Sequence, residues 1–349
     1  MKIFLSKFTI TILLLFYSCA PASLPILSTS DNIYSFSTED RLTDSIHIQK
    51  IEQIFNNGNA GFFEGKNGVS IFYNYFLQDS LEKGAIIISD GRTEAVVKYK
   101  EVIYDLYQNG YSVYIHDHRG QGFSGRMTED PDMGYVDNFQ NYIDDLKYFY
   151  NNFVIPHNHE KKFLLAHSMG GAIAATYIEQ FPNDFNATAF SSPMLGLPFP
   201  TCPVIKIIGG DEPKYALGNT DYTNSIAPFE ENELTNSNIR YQLMLDTFKK
   251  YPKARLGGAS YQWVDKSCNQ FEIIFNNLEQ IETPLILFSG GEESIVDASA
   301  HNDFIDELKS FEKTAKGYFV NGAKHELLIE KDAVRISVLA KILEFFSEN

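Results

Sequence analysis

The stretch Ala166-His167-Ser168-Met169-Gly170-Gly171 places a serine directly after the apolar run Phe163-Leu164-Leu165 and just before two glycines. A strand that turns sharply into a helix presents the residue at the turn. It needs small neighbours two positions before and two after, because the backbones touch there. Gly170 meets that need, and Ala166 supplies the next smallest side chain in front, so Ser168 is a candidate nucleophile. A serine hydroxyl is a poor nucleophile until an imidazole takes its proton, and that imidazole needs a carboxylate on its other nitrogen. His325, in Asn321-Gly322-Ala323-Lys324-His325, follows the run Tyr318-Phe319-Val320 and supplies a base late in the chain. Glu292, Glu293 and Asp297 lie within six residues after another apolar run, and the residues alone leave the acid open among them. Acyl transfer also requires donors aimed at a developing oxyanion. The backbone N–H of Met169 is one, and the N–H of Arg92 is the second, with Gly91 before it allowing close approach.

The remaining histidines have plainer readings. His167 adjoins Ser168, but neighbours at a sharp turn point in different directions, so it is expected to pack or hydrogen-bond. His116 and His118 flank Asp117 and fall on one face of an extended segment. No further ligand cluster is near in sequence, so a loop-stabilising role with Arg119 is expected; the reading includes neither a metal nor an organic cofactor.

These side chains need a frame. From Gly84 onward short buried runs alternate with amphipathic segments. The runs AIIIS (85–89), YSVYIHD (111–117), KFLLAH (162–167), ATAFSS (187–192), PLILFSG (284–290) and GYFVNG (317–322) predict strands. Helices are predicted near 96–108, 139–153, 169–180, 298–309 and 332–346. That alternation predicts an α/β fold, a mostly parallel sheet with helices on both faces. Upstream, FFEGKNGVSIFYNYF (62–76) predicts a hairpin turning at Asn67-Gly68. Residues 194 to about 280 interrupt the alternation with Pro, Gly and aromatic residues. An insertion there lies over the carboxyl ends of the strands, and predicts a cap on a domain spanning 46–349.

The net charge of −16 repels phosphate backbones, which disfavours nucleic-acid binding. At the amino terminus Lys2 and Lys7 precede an apolar run from Phe8 to Tyr17, half the length a spanning helix needs, so residues 1–19 are expected to be an export signal. Leu15-Phe16-Tyr17-Ser18-Cys19 is similar to a bacterial lipobox, which points to diacylation at Cys19 and a membrane-anchored lipoprotein of the cell envelope. The polar residues 20–45 then predict a tether. Cys202 and Cys268, 66 positions apart without a framework spacing, are expected to be two buried thiols.

Several segments together resemble a known family. They are DGRTEAVVKY (90–99), DHRGQGFSGR (117–126), GYVDNFQNYIDDL (134–146), LAHSMGGAI (165–173), RLGGASYQWV (255–264), GGEESIVD (290–297) and GAKHELLIEKDAVR (322–335). They are similar to the bacterial lysophospholipases allied to the monoacylglycerol lipases, within the α/β-hydrolases, and they span nearly the whole folded part. The resemblance implies Ser168 as nucleophile, His325 as base, and Met169 with Arg92 at the oxyanion hole. It places the acid at Glu293, where the relatives carry Asp, with Asp297 at a second acidic position four later. It further implies an apolar acyl channel under the cap and a lysophospholipid or monoacylglycerol substrate. A monoacylglycerol lipase or a broad carboxylesterase shares this chemistry. A non-catalytic envelope binding protein would be expected to lack Ser168 or His325.

Overall fold

Ile86, Ile87 and Ile88 are wholly buried, and each such side chain stabilises the fold by about 1.5–3 kcal/mol when withdrawn from water on both faces of a sheet. Strand alternation sends them opposite ways. Ala85 and Ile87 join one apolar cluster with Tyr114, Leu164 and Ala166, whereas Ile86 and Ile88 join another with Val113, Ile115, Phe163 and Leu165. The computed structural model, which describes residues 22–28, 32–79, 81–209, 213–224 and 226–349, thus has a central sheet with a core on each side.

The strands are β1 (Ala22–Ser23), β2 (Gly61–Glu64), β3 (Ser70–Phe76), β4 (Ala85–Ser89), β5 (Ser112–His116), β6 (Lys162–His167), β7 (Ala187–Ser191), β8 (Leu285–Gly290) and β9 (Ala315–Val320). Their order is β1-β9-β8-β7-β6-β4-β5-β3-β2, parallel except where β3 pairs with β2 and with β5. The hairpin turns where expected, with Asn67 and Gly68 both at positive φ. The helices are α1 (Glu39–Leu42), α2 (Ser45–Asn56), α3 (Lys100–Gln108), α4 (Gln140–Phe149), α5 (Met169–Gln180), α6 (Thr201–Ile208), α7 (Asn238–Lys250), α8 (Tyr261–Asn277), α9 (Ala298–Ser310) and α10 (Asp332–Glu348). Apolar faces of α4, α5, α8 and α9 cover one side of the sheet, and those of α3 and α10 cover the other.

Three expectations are corrected. Of the tether expected over 20–45, the described residues 22–28 and 32–45 are held to the domain: β1 adds to β9, Leu24 and Phe36 are buried in the core, and the Ser37 hydroxyl donates to Asp105 at 2.8 Å. The apolar residues scattered among Ser, Thr and Asp in that segment supply enough contact to hold it down. Cys202 on α6 and Cys268 on α8 are joined in a disulfide rather than standing as thiols. The chain between β7 and β8 is also less uniform than a cap. Its last helix, α8, packs on α5 within the body, where Gln270 donates to Thr176 at 2.8 Å. Cys19 and the export signal lie outside the described residues.

Candidate active site

β6 ends at His167 and α5 starts at Met169, so Ser168 alone makes the turn between them. Its φ of 51° and ψ of −121° lie in a region costly for a residue with a Cβ, by about 1–3 kcal/mol. The surroundings hold it there. Ser168 N donates to Ser191 O at 3.1 Å, while Ser168 O accepts from Met194 N at 2.7 Å and Gly171 N at 2.8 Å. The small residues are required sterically: a Cβ on Gly170 would lie 2.1 Å from Ser89 O, and one on Gly171 would lie 2.3 Å from the Pro193 Cβ. The result is a hydroxyl raised above the strand ends at the amino terminus of α5, where backbone N–H groups favour developing negative charge.

The structure brings Ser168, His325 and Glu293 together. Nε2 of His325 lies 2.9 Å from Oγ of Ser168. Nδ1 lies 2.9 and 2.8 Å from the two oxygens of Glu293. The loop after β9 delivers the imidazole, and the loop after β8 delivers the acid. Glu293 also accepts from Ile295 N at 2.9 Å and Val296 N at 3.2 Å, which turns its carboxylate inward. Burial alone would raise its pKa, but the hydrogen bond and charge of His325, with those two N–H groups, carry it down to about 2. It is thus an anion suited to stabilising an imidazolium and fixing the tautomer that leaves Nε2 free to accept the serine proton.

Asp297 does not take this role. It caps α9, accepting from Ser299 N at 2.9 Å and from the Ser299 hydroxyl at 2.6 Å. Glu292, the third carboxylate of the segment, is exposed. The loop after β4 approaches the nucleophile, since a Cβ on Gly91 would lie 3.1 Å from that of Ser168. The Arg92 side chain turns away from the strand ends. Its Nη1 donates to Gly257 O at 2.8 Å, its guanidinium lies 5.2 Å from the Trp263 ring, and burial lowers its pKa to about 10. Its main chain directly follows Gly91 in the loop that lies against Ser168, and Met169 opens α5 on the other side.

Around this triad stand buried groups that sequence reasoning missed. His301 on α9 bridges Ser289 Oγ and Pro193 O, each at 2.7 Å, and so ties the end of β8, ahead of the acid loop, to the segment after β7. Glu94, Lys98 and Glu326 form a buried ion triplet beside His167. The spacing of Glu94 and Lys98, four positions apart with Glu94 just ahead of the helical turn at Val96–Tyr99, was the one local signal for it. Glu94, His167 and Glu326 converge closely enough to share an ion, but the Lys98 ammonium already bonds both carboxylates. His167 itself contacts Ser191 O at 3.0 Å, and burial lowers its pKa. His116 and His118 meet edge to face at 4.8 Å, with burial holding His116 at about 3. Arg119 instead pairs with Asp145, at 2.8 and 2.9 Å.

Comparison with known proteins points to a family. The family model described as serine aminopeptidase, S33, matches residues 81–332. Lysophospholipase L2 of Escherichia coli (strain K12) is 36% identical over 275 residues, covering 76% of this chain and 80% of its own. Monoglyceride lipase of Rattus norvegicus is 25% identical over 278 residues, covering 79% and 86%. Among solved structures, a soluble variant of monoglyceride lipase from Saccharomyces cerevisiae superposes with a TM-score of 0.68 at 19% identity, covering 83% of this chain and 94% of that one, which speaks for the fold. A strained serine between strand and helix, an imidazole and carboxylate in line with it, and relatives matched over most of both chains lead to one assignment: the chain belongs to the serine aminopeptidase S33 family of α/β-hydrolases, in its lysophospholipase and monoacylglycerol lipase branch, and is a carboxylic ester hydrolase.

Proposed function

We propose that the protein hydrolyses the acyl ester of single-chain lipids, lysophospholipids foremost, through an acyl-enzyme on Ser168. The observation that carries the reading is the Ser168–His325–Glu293 chain of contacts, 2.9 and 2.8 Å, on a serine held at positive φ. Ser168 Oγ attacks the acyl carbonyl while His325 Nε2 takes its proton. The main-chain N–H groups of Met169 and Arg92 receive the oxyanion. Collapse breaks the ester C–O bond, and His325 returns the proton to the departing glycerophospho-alcohol. Water then attacks the acyl-serine, giving up its proton to His325, and release of the fatty acid restores the serine. The substrate class rests on the relatives and on a cap whose outer edge exposes Phe199 and Ile207.

The deciding experiment measures fatty-acid release from lysophosphatidylcholine, lysophosphatidylethanolamine and monoolein by the wild type and by Ser168→Ala. Fastest turnover of the lysophospholipids with a dead variant supports the reading, and a fully active Ser168→Ala overturns the triad. Faster turnover of monoolein moves the substrate to monoacylglycerols, a second reading favoured by the similarity to monoglyceride lipases. Export and diacylation at Cys19 belong to the same proposal, supported by the basic and then apolar amino terminus and the Ser18-Cys19 junction. Mass spectrometry of the mature protein decides it: a diacylated amino-terminal cysteine is expected, and an unmodified chain beginning at Met1 refutes it.

A further inference from the structure

Lys98 lies where two catalytic loops meet, although no step of the reaction uses it. Its ammonium bonds Glu94 at 2.5 Å and also bonds Glu326, with all three side chains almost wholly buried. Each carboxylate belongs to a different loop. Glu94 accepts the N–H of Gly91 at 2.5 Å and the Tyr99 hydroxyl at 2.6 Å, so it fixes the backbone just before Arg92. Glu326 directly follows His325, and its N–H donates to Leu234 O at 2.8 Å in the segment that crosses from the cap. His167 closes the cluster. It precedes Ser168 in the chain, its ring lies 4.9 Å from that of His325, and it offers a ligand atom within 4.8 Å of both carboxylates. An ion triplet that touches the backbone before the oxyanion donor, the residue after the base and the residue before the nucleophile spans all three parts of the machinery.

We propose that Lys98 is a positioning residue that sets the distance between the oxyanion loop and the catalytic histidine by clamping Glu94 to Glu326. Two buried carboxylates without an ammonium between them repel each other or take up protons, and either response separates the Gly91 loop from the His325 loop. A shift of about 1 Å in such a site costs on the order of 10²-fold in rate. The inference rests on the serine-hydrolase reading above.

The test compares Lys98→Met, Lys98→Arg, Glu326→Gln and Lys100→Met in the full protein. Lys100 is a control because it makes a similar ion pair, with Glu52 at 2.6 Å, away from the site. The readouts are kcat and KM on p-nitrophenyl butyrate, the rate of labelling by a fluorophosphonate, and thermal melting. Lys98→Met is expected to lower kcat about ten- to one-hundred-fold with KM within about twofold, and to slow labelling in proportion. Lys98→Arg is expected to recover most of that rate, and Lys100→Met to keep kcat within about twofold even where melting falls as far. The proposal is overturned if Lys98→Met keeps kcat within about threefold, or if Lys98→Met and Lys100→Met lose activity alike. Should Lys98→Met fail to fold, Glu326→Gln decides, with a kcat loss of about three- to tenfold in a folded protein expected and an unchanged kcat refuting the clamp. A wild type inert to both ester and fluorophosphonate would sink the hydrolase reading and this inference with it, whereas an indifferent Lys98→Met sinks the clamp alone.

Discussion

Replacing Glu293 by Gln removes the charge behind His325 and leaves a side chain of the same length. The drop of its pKa from 4.5 to about 2 corresponds to about 3 kcal/mol at about 1.4 kcal/mol per pH unit. The hydrogen bond and charge of His325 are the largest lowering influences, and the reaction places the serine proton on that ring, so much of that attraction is felt in the transition state. This alone predicts a kcat loss on the order of 10²-fold. Gln adds a second fault, since its amide N–H can face Nδ1 and select the tautomer with the proton on Nε2, which raises the expected loss toward about 10³-fold. The assay is p-nitrophenyl butyrate hydrolysis across pH, with Asp297→Asn alongside. A Glu293→Gln protein within about threefold of wild-type kcat would refute the assignment, the more so if Asp297→Asn were the inactive one. Stability carries a matching signature. A carboxyl with a depressed folded pKa stabilises the fold above its unfolded pKa, so Glu293's share is fully present above about pH 4.5 and is lost as pH falls toward 2. Glu293→Gln should therefore flatten the acid limb of wild-type stability in that window, as followed by urea unfolding at stepped pH.

Asp297→Asn should keep kcat within about twofold and cost at most about 1 kcal/mol of stability, as expected for a helix cap, when compared by urea unfolding. Gly170→Ala should abolish activity and destabilise by several kcal/mol, about 3 or more, because its Cβ has only the rigid carbonyls of Ser89 and Asp90 to meet; a folded, active variant by circular dichroism and ester assay would refute that packing. Cys202→Ala with Cys268→Ala should lose up to about 4 kcal/mol, the loop entropy of a 66-residue separation, and reductant should lower the melting temperature of the wild type but not of the variant.

The sheet strands and their flanking helices from Ala85 onward were legible because each is a run of apolar residues at its own period, bounded by turn chemistry, whereas α6, α7 and α8 in the 194–280 stretch were not predicted. Ser168 and His325, which the structure brings together, were singled out by their contexts, a strand-to-helix turn with small neighbours for Ser168 and the loop after the last strand for His325. From the residues alone the acid was not, since three carboxylates lie within six residues; the resemblance put Glu293 first with Asp297 as the alternative, and Glu293 is the one that meets His325. One local signal was available: Asp297-Ala298-Ser299 before an amphipathic run has the form of a helix cap, which occupies Asp297 and leaves it unavailable to His325. The amino-terminal segment misled because its apolar residues, Leu24 and Phe36 among them, lack a period and find partners only in the tertiary fold. Pairings such as Cys202 with Cys268 or Lys98 with Glu326 join positions far apart in the chain, and no periodicity encodes them.

The docking of β1 along β9 has a geometric consequence for an anchor attached at Cys19. Only three residue steps separate that cysteine from Ala22 on β1, the edge strand, where it pairs with Tyr318 of β9. Three extended residues span at most about 10 Å. Were Cys19 lipidated as proposed, the protein could not range over the membrane on a long leash, and the β1 edge would stay within about 10 Å of the anchored cysteine. The amphiphiles of that surface would then reach the site by their own lateral diffusion.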